Sequence, residues 1–243
     1  MKKTALLLIG ISVFTLGKAQ ISLPKLKLPE VKGADIFSKN NHSTDIAGGL
    51  KEALTQGLEK AVAQVSVADG FYKDEAIKIL LPPELKEVDT KMRAVGLGDK
   101  ADEGLKLLNR AAEDASAKAT PIFVHAVKEM TFSDAKGILM GDNNAATAYM
   151  KRTTSDPLYH AFVPTVQQSL EKVGANKIWE QLITKYNTLP FVNKVNPNLA
   201  DYVTKKTIDG LFVMVAKEEV AIRKSPANRT TELLKSVFAL QDK

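Results

Sequence analysis

The chain has 243 residues, of which 44% are hydrophobic and 26% are charged, and it contains no cysteine. This length fits one large domain or two small ones, and the composition is too apolar for a disordered chain. Without cysteine the protein has no disulfide, no thiolate metal ligand, no cysteine nucleophile and no lipidated N-terminal cysteine. The formal net charge is +6, and most of it lies in the first 44 residues.

Residues 1–19 are predicted to be a secretory signal peptide. A positively charged start precedes an apolar run over residues 5–16, and Gly17-Lys18-Ala19 offers small residues at the two positions that a signal peptidase reads. The alternative is a membrane anchor, which needs about 20 apolar residues, and this run has about a dozen. We expect cleavage after Ala19 and a periplasmic protein, or a secreted one, with no transmembrane segment in the mature chain.

Removal of this leader lowers the net charge from +6 to +3, because the leader carries three lysines. Residues 20–44 carry +2, so residues 45–243 carry about +1. A nearly neutral domain lacks the cationic footprint of a nucleic-acid-binding protein. We therefore expect no nucleic-acid partner.

Residues 20–44 are predicted to be an N-terminal arm or linker, since they contain Pro24, Pro29 and Gly33 and end in a polar stretch. The composition favours a mobile linker. A second interpretation stays open, in which an extended strap packs on the domain through four apolar residues, Leu23, Leu26, Leu28 and Val31.

Residues 45–243 are predicted to form a single all-α domain, a compact multi-helix fold of about nine helices with short connections. The first helix begins near Asp45 and carries apolar residues at three- and four-residue steps. Asp69-Gly70 marks a turn. Residues 76–81 break the helical pattern and leave room for one small β-hairpin.

Proline and glycine divide the middle of the chain into several predicted helices. A long helix either kinks or ends at Pro121, because proline removes a backbone hydrogen bond. Ser133-Asp134 is expected to cap a short helix, and residues 142–144 the helix that follows. Ser155 is expected to cap a further helix, which Pro164 interrupts.

The last third of the chain is predicted to contain the central helix. Asn196-Pro197 is a start signal, because asparagine caps a helix and proline suits its first turn. Residues 211–216, LFVMVA, are apolar on every side, which is typical of a helix buried in the core. Ser225-Pro226 is expected to start the last helix.

The sequence lacks the motifs of the common enzyme and metal-site classes, since it has no HExxH, GxSxG, phosphate loop or GxGxxG. His125 and Glu129 are four residues apart, as are Asp156 and His160, but no histidine belongs to a Glu-x-x-His pair. We expect no metal and no cofactor. The adjacent carboxylates at residues 113–114 and 218–219 are expected to be solvated or salt-bridged.

Two polar segments, each interpreted as a joint between helices, are the candidate binding residues: Arg152, Thr154, Asp156 and His160 in the first, and Arg223 and Arg229 in the second. Arginine presents a rigid fork of donors that suits carboxylates and phosphates. If the two joints meet in space, they form a site for an anion or a peptide. The alternative, which we favour, is that each arginine binds helix-end carbonyl groups and nearby carboxylates.

Several short stretches match a known family in order, over nearly all of residues 45–238: DIAGGLKEAL at 45–54, FSDA at 132–135, RTTSD at 152–156, YNTLPF at 186–191, NP at 196–197 and RTT at 229–231. On these stretches the chain resembles the bacterial domain-of-unknown-function family 4197. The resemblance implies an exported helical protein without an established reaction, and it brings no catalytic residues. It also implies lipoprotein relatives, from which this cysteine-free chain departs.

These features favour a non-enzymatic binding or interaction module of the bacterial cell envelope, whose partner is an unknown envelope protein. A second hypothesis is a carrier of a small apolar ligand in an inter-helix pocket lined by Ile122, Phe123, Phe212 and Met214. A third is a hydrolase of unknown substrate that uses Asp156 and His160 or the arginine joints. The sequence leaves the oligomeric state open.

Overall fold

The computed structural model describes residues 42–81, 86–188, 190–191, 194–229 and 232–239. The predicted signal peptide and residues 20–41 of the predicted arm lie outside this part. The described residues form nine α-helices: α1 His42–Val65, α2 Lys86–Ala94, α3 Gly98–Ser116, α4 Ala119–Glu129, α5 Phe132–Leu139, α6 Ala145–Lys172, α7 Ala175–Asn187, α8 Leu199–Lys224 and α9 Glu232–Phe238. The all-α prediction is confirmed.

The two longest helices, α6 and α8, pack against each other at the centre of the fold. α3 and α4 pack on α6, while α1 and α3 also pack on α8. The apolar run in α8 is buried as predicted, with Leu211 and Phe212 inside the core, and only Val213 in its centre reaches the surface. Burial of this run against three other helices is what holds α8 in the middle.

α6 is one continuous helix, so the predicted helix start at Ser155 and the predicted interruption at Pro164 are wrong. The Ser155 hydroxyl does not cap a helix but donates to the carbonyl of Lys151, one turn earlier, at 2.6 Å. Packing outweighs the hydrogen bonds lost at the two prolines, since α6 buries a stripe of residues spaced four apart, all of them apolar except Thr154: Met150, Thr154, Leu158, Phe162, Val166 and Leu170.

Several helix ends differ from the expected boundaries. α3 ends before Pro121, which lies in the first turn of α4, where its missing N–H costs no hydrogen bond. Thr131, not Ser133, caps α5, and it exchanges hydrogen bonds with Asp134 in a capping box. The chain after Ser225 forms a short 3₁₀ turn, Pro226–Asn228, and the last helix begins later, at Glu232.

Residues 66–81 contain no strand, and the expected hairpin is absent from the described part of the chain. Polar side chains of α3 take the place of a strand partner. The Asn109 amide accepts from the N–H of Ile79 at 2.8 Å and donates to its carbonyl at 2.9 Å. The Glu113 carboxylate accepts from the N–H groups of Phe71 and Tyr72 at 3.1 and 3.2 Å. Buried backbone groups are thereby satisfied without a sheet.

Gly210 allows this segment to lie directly on α8. A Cβ atom at this position would stand 2.6 Å from Cε1 of Phe71 and 3.2 Å from Cβ of Ile77. We predict that Gly210→Ala lowers the free energy of unfolding by about 1–3 kcal/mol, the usual cost of overpacking. Urea denaturation measures the change.

The matched control is Gly104→Ala in α3, where a Cβ would meet no atom within 4 Å. That substitution is expected to stabilise the protein by about 1 kcal/mol, because alanine is the better helix former. An equal change in the free energy of unfolding at the two positions would contradict the close contact of Gly210 with Phe71 and Ile77.

Candidate functional site

The start of α6 is bound by a carboxylate from α8. Glu219 accepts hydrogen bonds from the N–H groups of Ala146 and Thr147 at 2.9 and 2.8 Å, and from the Thr147 hydroxyl at 2.7 Å. Asn144, at the expected capping position, makes no side-chain cap, so the predicted cap at residues 142–144 is wrong. A negative charge at a helix N-terminus interacts favourably with the helix dipole.

Arg223, one turn along α8, pairs with this carboxylate and binds the end of α5. Its Nε and Nη2 donate to Oε1 of Glu219 at 3.0 and 2.8 Å. Its Nη2 also donates to the carbonyl of Ile138 at 2.8 Å, and Nη1 to that of Leu139 at 3.5 Å. Both side chains are about 95% buried, with exposed fractions of 5% for Arg223 and 6% for Glu219.

Arg229 has a similar structural role at the end of α8. Its Nε donates to the carbonyl of Ile222 at 3.2 Å and its Nη2 to that of Arg223 at 3.1 Å. Both arginine guanidinium groups lie over the ring of Phe238 in α9, at 5.9 and 5.5 Å from its centroid. The second predicted segment therefore comes together in space, as a set of contacts with helix ends.

The first predicted segment does not form a joint, because it lies inside α6. Arg152 lies over the ring of Tyr149, 5.4 Å from its centroid. Asp156 and His160 form an exposed pair with 3.6 Å between Oδ1 and Nε2. Thr154 is buried on another face and donates to the carbonyl of Met150 at 2.6 Å. The helix thus separates Thr154 from the exposed pair.

The interior position proposed for an apolar ligand is filled by aromatic side chains. The rings of Phe123 and Phe212 are buried and lie 6.0 Å apart at an angle of 57°. Ile122 faces away from them, into a groove of about 420 Å³ between α4 and α6, whose lining also includes His125, Glu129, Tyr149 and Thr154. The core itself is closed where the sequence suggested a pocket.

A larger groove, of about 650 Å³, lies between residues 76–81, residues 194–196 and α8. We call it the lysine groove, because the described residues that line it include Lys78, Lys194 and Lys206 and one carboxylate, Asp209. Its apolar lining includes Ile77, Ile79, Leu80, Leu81, Val195 and Val213. Leu80 and Val213 are exposed, so an apolar surface stays open to solvent beside a cationic rim.

A buried carboxylate positions one wall of the lysine groove. Asp201 accepts from the Tyr159 hydroxyl at 2.7 Å, from the Asn196 amide at 2.6 Å and from Lys205 at 3.0 Å. Burial raises the pKa of Asp201, but the hydrogen bonds from Tyr159 and Lys205 outweigh burial and hold the pKa below its ordinary value. Asn196, which lines the groove, is fixed by this contact.

The only tryptophan of the chain lies behind the same wall. The Trp179 ring stacks on Tyr202, with centroids 6.1 Å apart, and its Nε1 donates to the carbonyl of Asn196 at 3.4 Å. Tyr202 in turn donates to the carbonyl of Leu80 at 2.6 Å, which joins the two sides of the groove. The fluorescence of Trp179 is therefore a local reporter for this site.

Sequence reasoning missed both the Glu219–Arg223 contact and the lysine groove. A signal for the first was present, since two opposite charges four residues apart follow the apolar run of α8. The carboxylates of Glu113 and Glu219 are salt-bridged, as the sequence allowed, but they are buried rather than solvated. The groove left no local signal, because its lining comes from two distant parts of the chain, residues 76–81 and residues 194–213.

Within the described residues, no cluster of three or more histidine or acidic side chains could hold a metal ion. No helix there is long and apolar enough to cross a bilayer. The fold and its site thus define an all-α protein with a charged interior contact and an open surface groove.

Comparison with known proteins places the chain in a family. It belongs to the family described as protein of unknown function DUF4197, whose model matches residues 40–239. This confirms the resemblance drawn from the sequence. No curated protein matches the chain. No solved structure matches it either.

We predict that Arg223→Met lowers the free energy of unfolding by about 3–5 kcal/mol, because it leaves the Glu219 carboxylate buried without its cation. Arg223→Lys should recover only part of this loss, since one ammonium group cannot reproduce the forked contacts. Urea denaturation at neutral pH measures both variants.

The control removes a surface pair. Nζ of Lys235 lies 2.7 Å from Oε1 of Glu232 in α9, and both side chains are exposed. Lys235→Met should therefore lower the free energy of unfolding by less than about 1 kcal/mol. If Arg223→Met lowers the free energy of unfolding by a similarly small amount, the buried Glu219–Arg223 contact contributes little to stability.

We predict that Asp201 contributes to stability in a pH-dependent way. Because its folded-state pKa lies below the ordinary value of 3.8, its stabilising effect is complete above that pH and is lost as the pH falls through the folded-state pKa. Asp201→Asn should therefore narrow the stability difference between pH 6 and pH 2, measured as urea midpoints. If the urea midpoint falls equally from pH 6 to pH 2 in the parent protein and in Asp201→Asn, Asp201 does not contribute to the pH dependence of stability.

Proposed function

We propose that this protein is a non-enzymatic binding protein of the bacterial cell envelope, exported through a cleaved signal peptide, and that it binds its partner at the lysine groove. The observation that carries the proposal is the contrast between interior and surface. Four charged side chains in the core, those of Glu113, Glu219, Arg223 and Arg229, bind backbone groups, whereas the groove combines exposed apolar and cationic side chains.

The buried ionisable groups support this proposal because each has structural partners. Glu113 binds the turn at residues 71–72, and Glu219 binds the start of α6. Arg223 and Arg229 bind carbonyl groups at helix ends. A catalytic acid, base or nucleophile needs freedom to contact a substrate, and these contacts leave no such freedom to the buried groups.

The lysine groove has the features of a recognition surface. Within the described chain, Lys194 and Lys206 form no ion pair, so their charges are available to a partner. Leu80 and Val213 offer exposed apolar area beside them. Surfaces that combine apolar side chains with cations are typical of binding sites.

A site-specific cross-linking experiment tests the proposal in cells. A photoreactive phenylalanine analogue at Val213, inside the groove, should give a discrete cross-linked product, which disappears when Lys194→Ala and Lys206→Ala are added. The control position is Val173 at the end of α6, which is similarly exposed but does not line the groove. Identical products at both positions, or no product at Val213 with either protein or lipid, would refute the proposal.

Export is tested separately by the mass of the mature protein isolated from the envelope fraction. Cleavage after Ala19 predicts a chain that begins at Gln20. A full-length chain retained in the cytoplasmic fraction would contradict the envelope location while leaving the groove as a binding surface.

A further inference from the structure

An aromatic side chain projects from the loop that leads into the lysine groove. Phe191 is fully exposed, and its backbone has a φ of +62°, a region that residues other than glycine and asparagine rarely adopt. A phenylalanine in this position gains nothing from burial in the described core. An exposed aromatic residue held in an unfavourable backbone conformation indicates a functional role.

The loop that carries Phe191 is closed at its base by a side chain. The Asn187 amide donates to the carbonyl of Val195 at 2.8 Å and accepts from its N–H at 2.9 Å. This pair of bonds joins the end of α7 to the wall of the groove. Phe191 thus lies in the chain between two residues, Asn187 and Val195, that are bound to each other.

The lysine nearest to Phe191 in the chain lines the groove. Lys194 is three residues after Phe191, so their Cα atoms are at most about 11 Å apart. Lys194 and Lys206 both line the groove. Among the described residues neither forms an ion pair, whereas Lys78, the third lysine of the groove, pairs with Glu75 at 3.5 Å. Among the same residues, Asp209 is the one carboxylate that lines the groove.

We propose that the Phe191 loop and the lysine groove together bind the surface of an anionic phospholipid bilayer. In this arrangement Phe191 enters the interfacial layer, and Lys194 and Lys206 bind lipid phosphates. The inference rests on the proposed function, since it names the partner of the same surface.

A bilayer fits these features better than a small ligand or a protein. The groove is open, whereas small-molecule sites enclose most of their ligand. A protein partner would need a complementary pocket for the ring, but a lipid interface accepts a projecting aromatic side chain without one. Lysines near an anionic membrane surface add attraction that does not depend on exact geometry.

The test is co-sedimentation of the mature chain, residues 20–243, with lipid vesicles at about 0.1 M salt. We expect binding to vesicles of phosphatidylglycerol and phosphatidylcholine, and much weaker binding to phosphatidylcholine alone. The double variant Lys194→Ala, Lys206→Ala should bind about 25-fold more weakly, since each lysine contributes about a factor of five.

Phe191→Asn separates binding from folding. Asparagine tolerates a positive φ, so the variant should melt at or above the temperature of the parent protein. It should nevertheless bind anionic vesicles at least about tenfold more weakly, because the apolar ring is gone. Phe191→Trp should retain binding and add a fluorophore whose emission shifts to the blue on contact with lipid.

Matched controls use an aromatic residue and lysines elsewhere on the surface. Phe132→Asn at the start of α5, and Lys118→Ala combined with Lys224→Ala, should leave vesicle binding unchanged. The lipid inference is overturned if both vesicle types bind equally, if Phe191→Asn binds like the parent, or if the controls lose binding to the same extent.

The vesicle experiment and the cross-linking experiment fail independently. If vesicles are not bound but Val213 still cross-links to a protein in a lysine-dependent way, the lipid inference falls and the proposed binding function stands. If Val213 gives no product and vesicles are not bound, both fall. Inorganic phosphate is added alone at the phosphate concentration of the vesicles. If it changes the fluorescence of Trp179, the ligand is a free anion and the lipid inference is overturned.

Discussion

One buried contact, between Glu219 and Arg223 of α8, connects three helices. The carboxylate binds two N–H groups at the start of α6, and the guanidinium binds carbonyl groups at the end of α5. A buried ion pair alone contributes little net stability, because desolvation cancels most of the attraction. Here each charge also faces a helix end of the opposite partial charge, and the hydrogen bonds satisfy backbone groups that would otherwise be buried without partners.

The same principle recurs in the rest of the fold. Asn109 and Glu113 of α3 bind the backbone of Phe71, Tyr72 and Ile79, so buried backbone groups in a segment without regular structure have hydrogen-bond partners. Polar side chains in the core therefore act as partners for the backbone. The proposed function therefore rests on the surface rather than on these buried groups.

Sequence periodicity was sufficient for the helices that bury one regular stripe. It located α1 and the apolar centre of α8, because three- and four-residue steps and an unbroken apolar run are local signals. It failed for α6, whose buried residues are spaced strictly four apart. Four residues exceed one turn, so this stripe rotates around the helix axis by about 40° per step. The apolar residues therefore do not stay on one face of a regular helix, and their periodicity is hard to recognise in the sequence.

The candidate site was harder to predict, for a different reason. The arginines of the second segment bind helix-end carbonyl groups, and Arg223 also binds a carboxylate, as the favoured interpretation expected, but the sequence did not identify Glu219 as that carboxylate. The lysine groove combines residues near 78, 194 and 206, and their proximity depends on Gly210, Tyr202 and Asn109 rather than on any motif. The positive φ of Phe191 also could not be predicted from composition or residue spacing.

The central claim is that the charged interior maintains the fold while the lysine groove and the Phe191 loop make the functional contact. Hydrogen–deuterium exchange of the mature protein, with and without anionic phospholipid vesicles, tests this claim most directly. The account predicts slower exchange confined to residues 76–81 and 188–196, with unchanged protection at residues 138–147 and 219–223. Slower exchange at the buried contact, or no change anywhere in the chain, would contradict it.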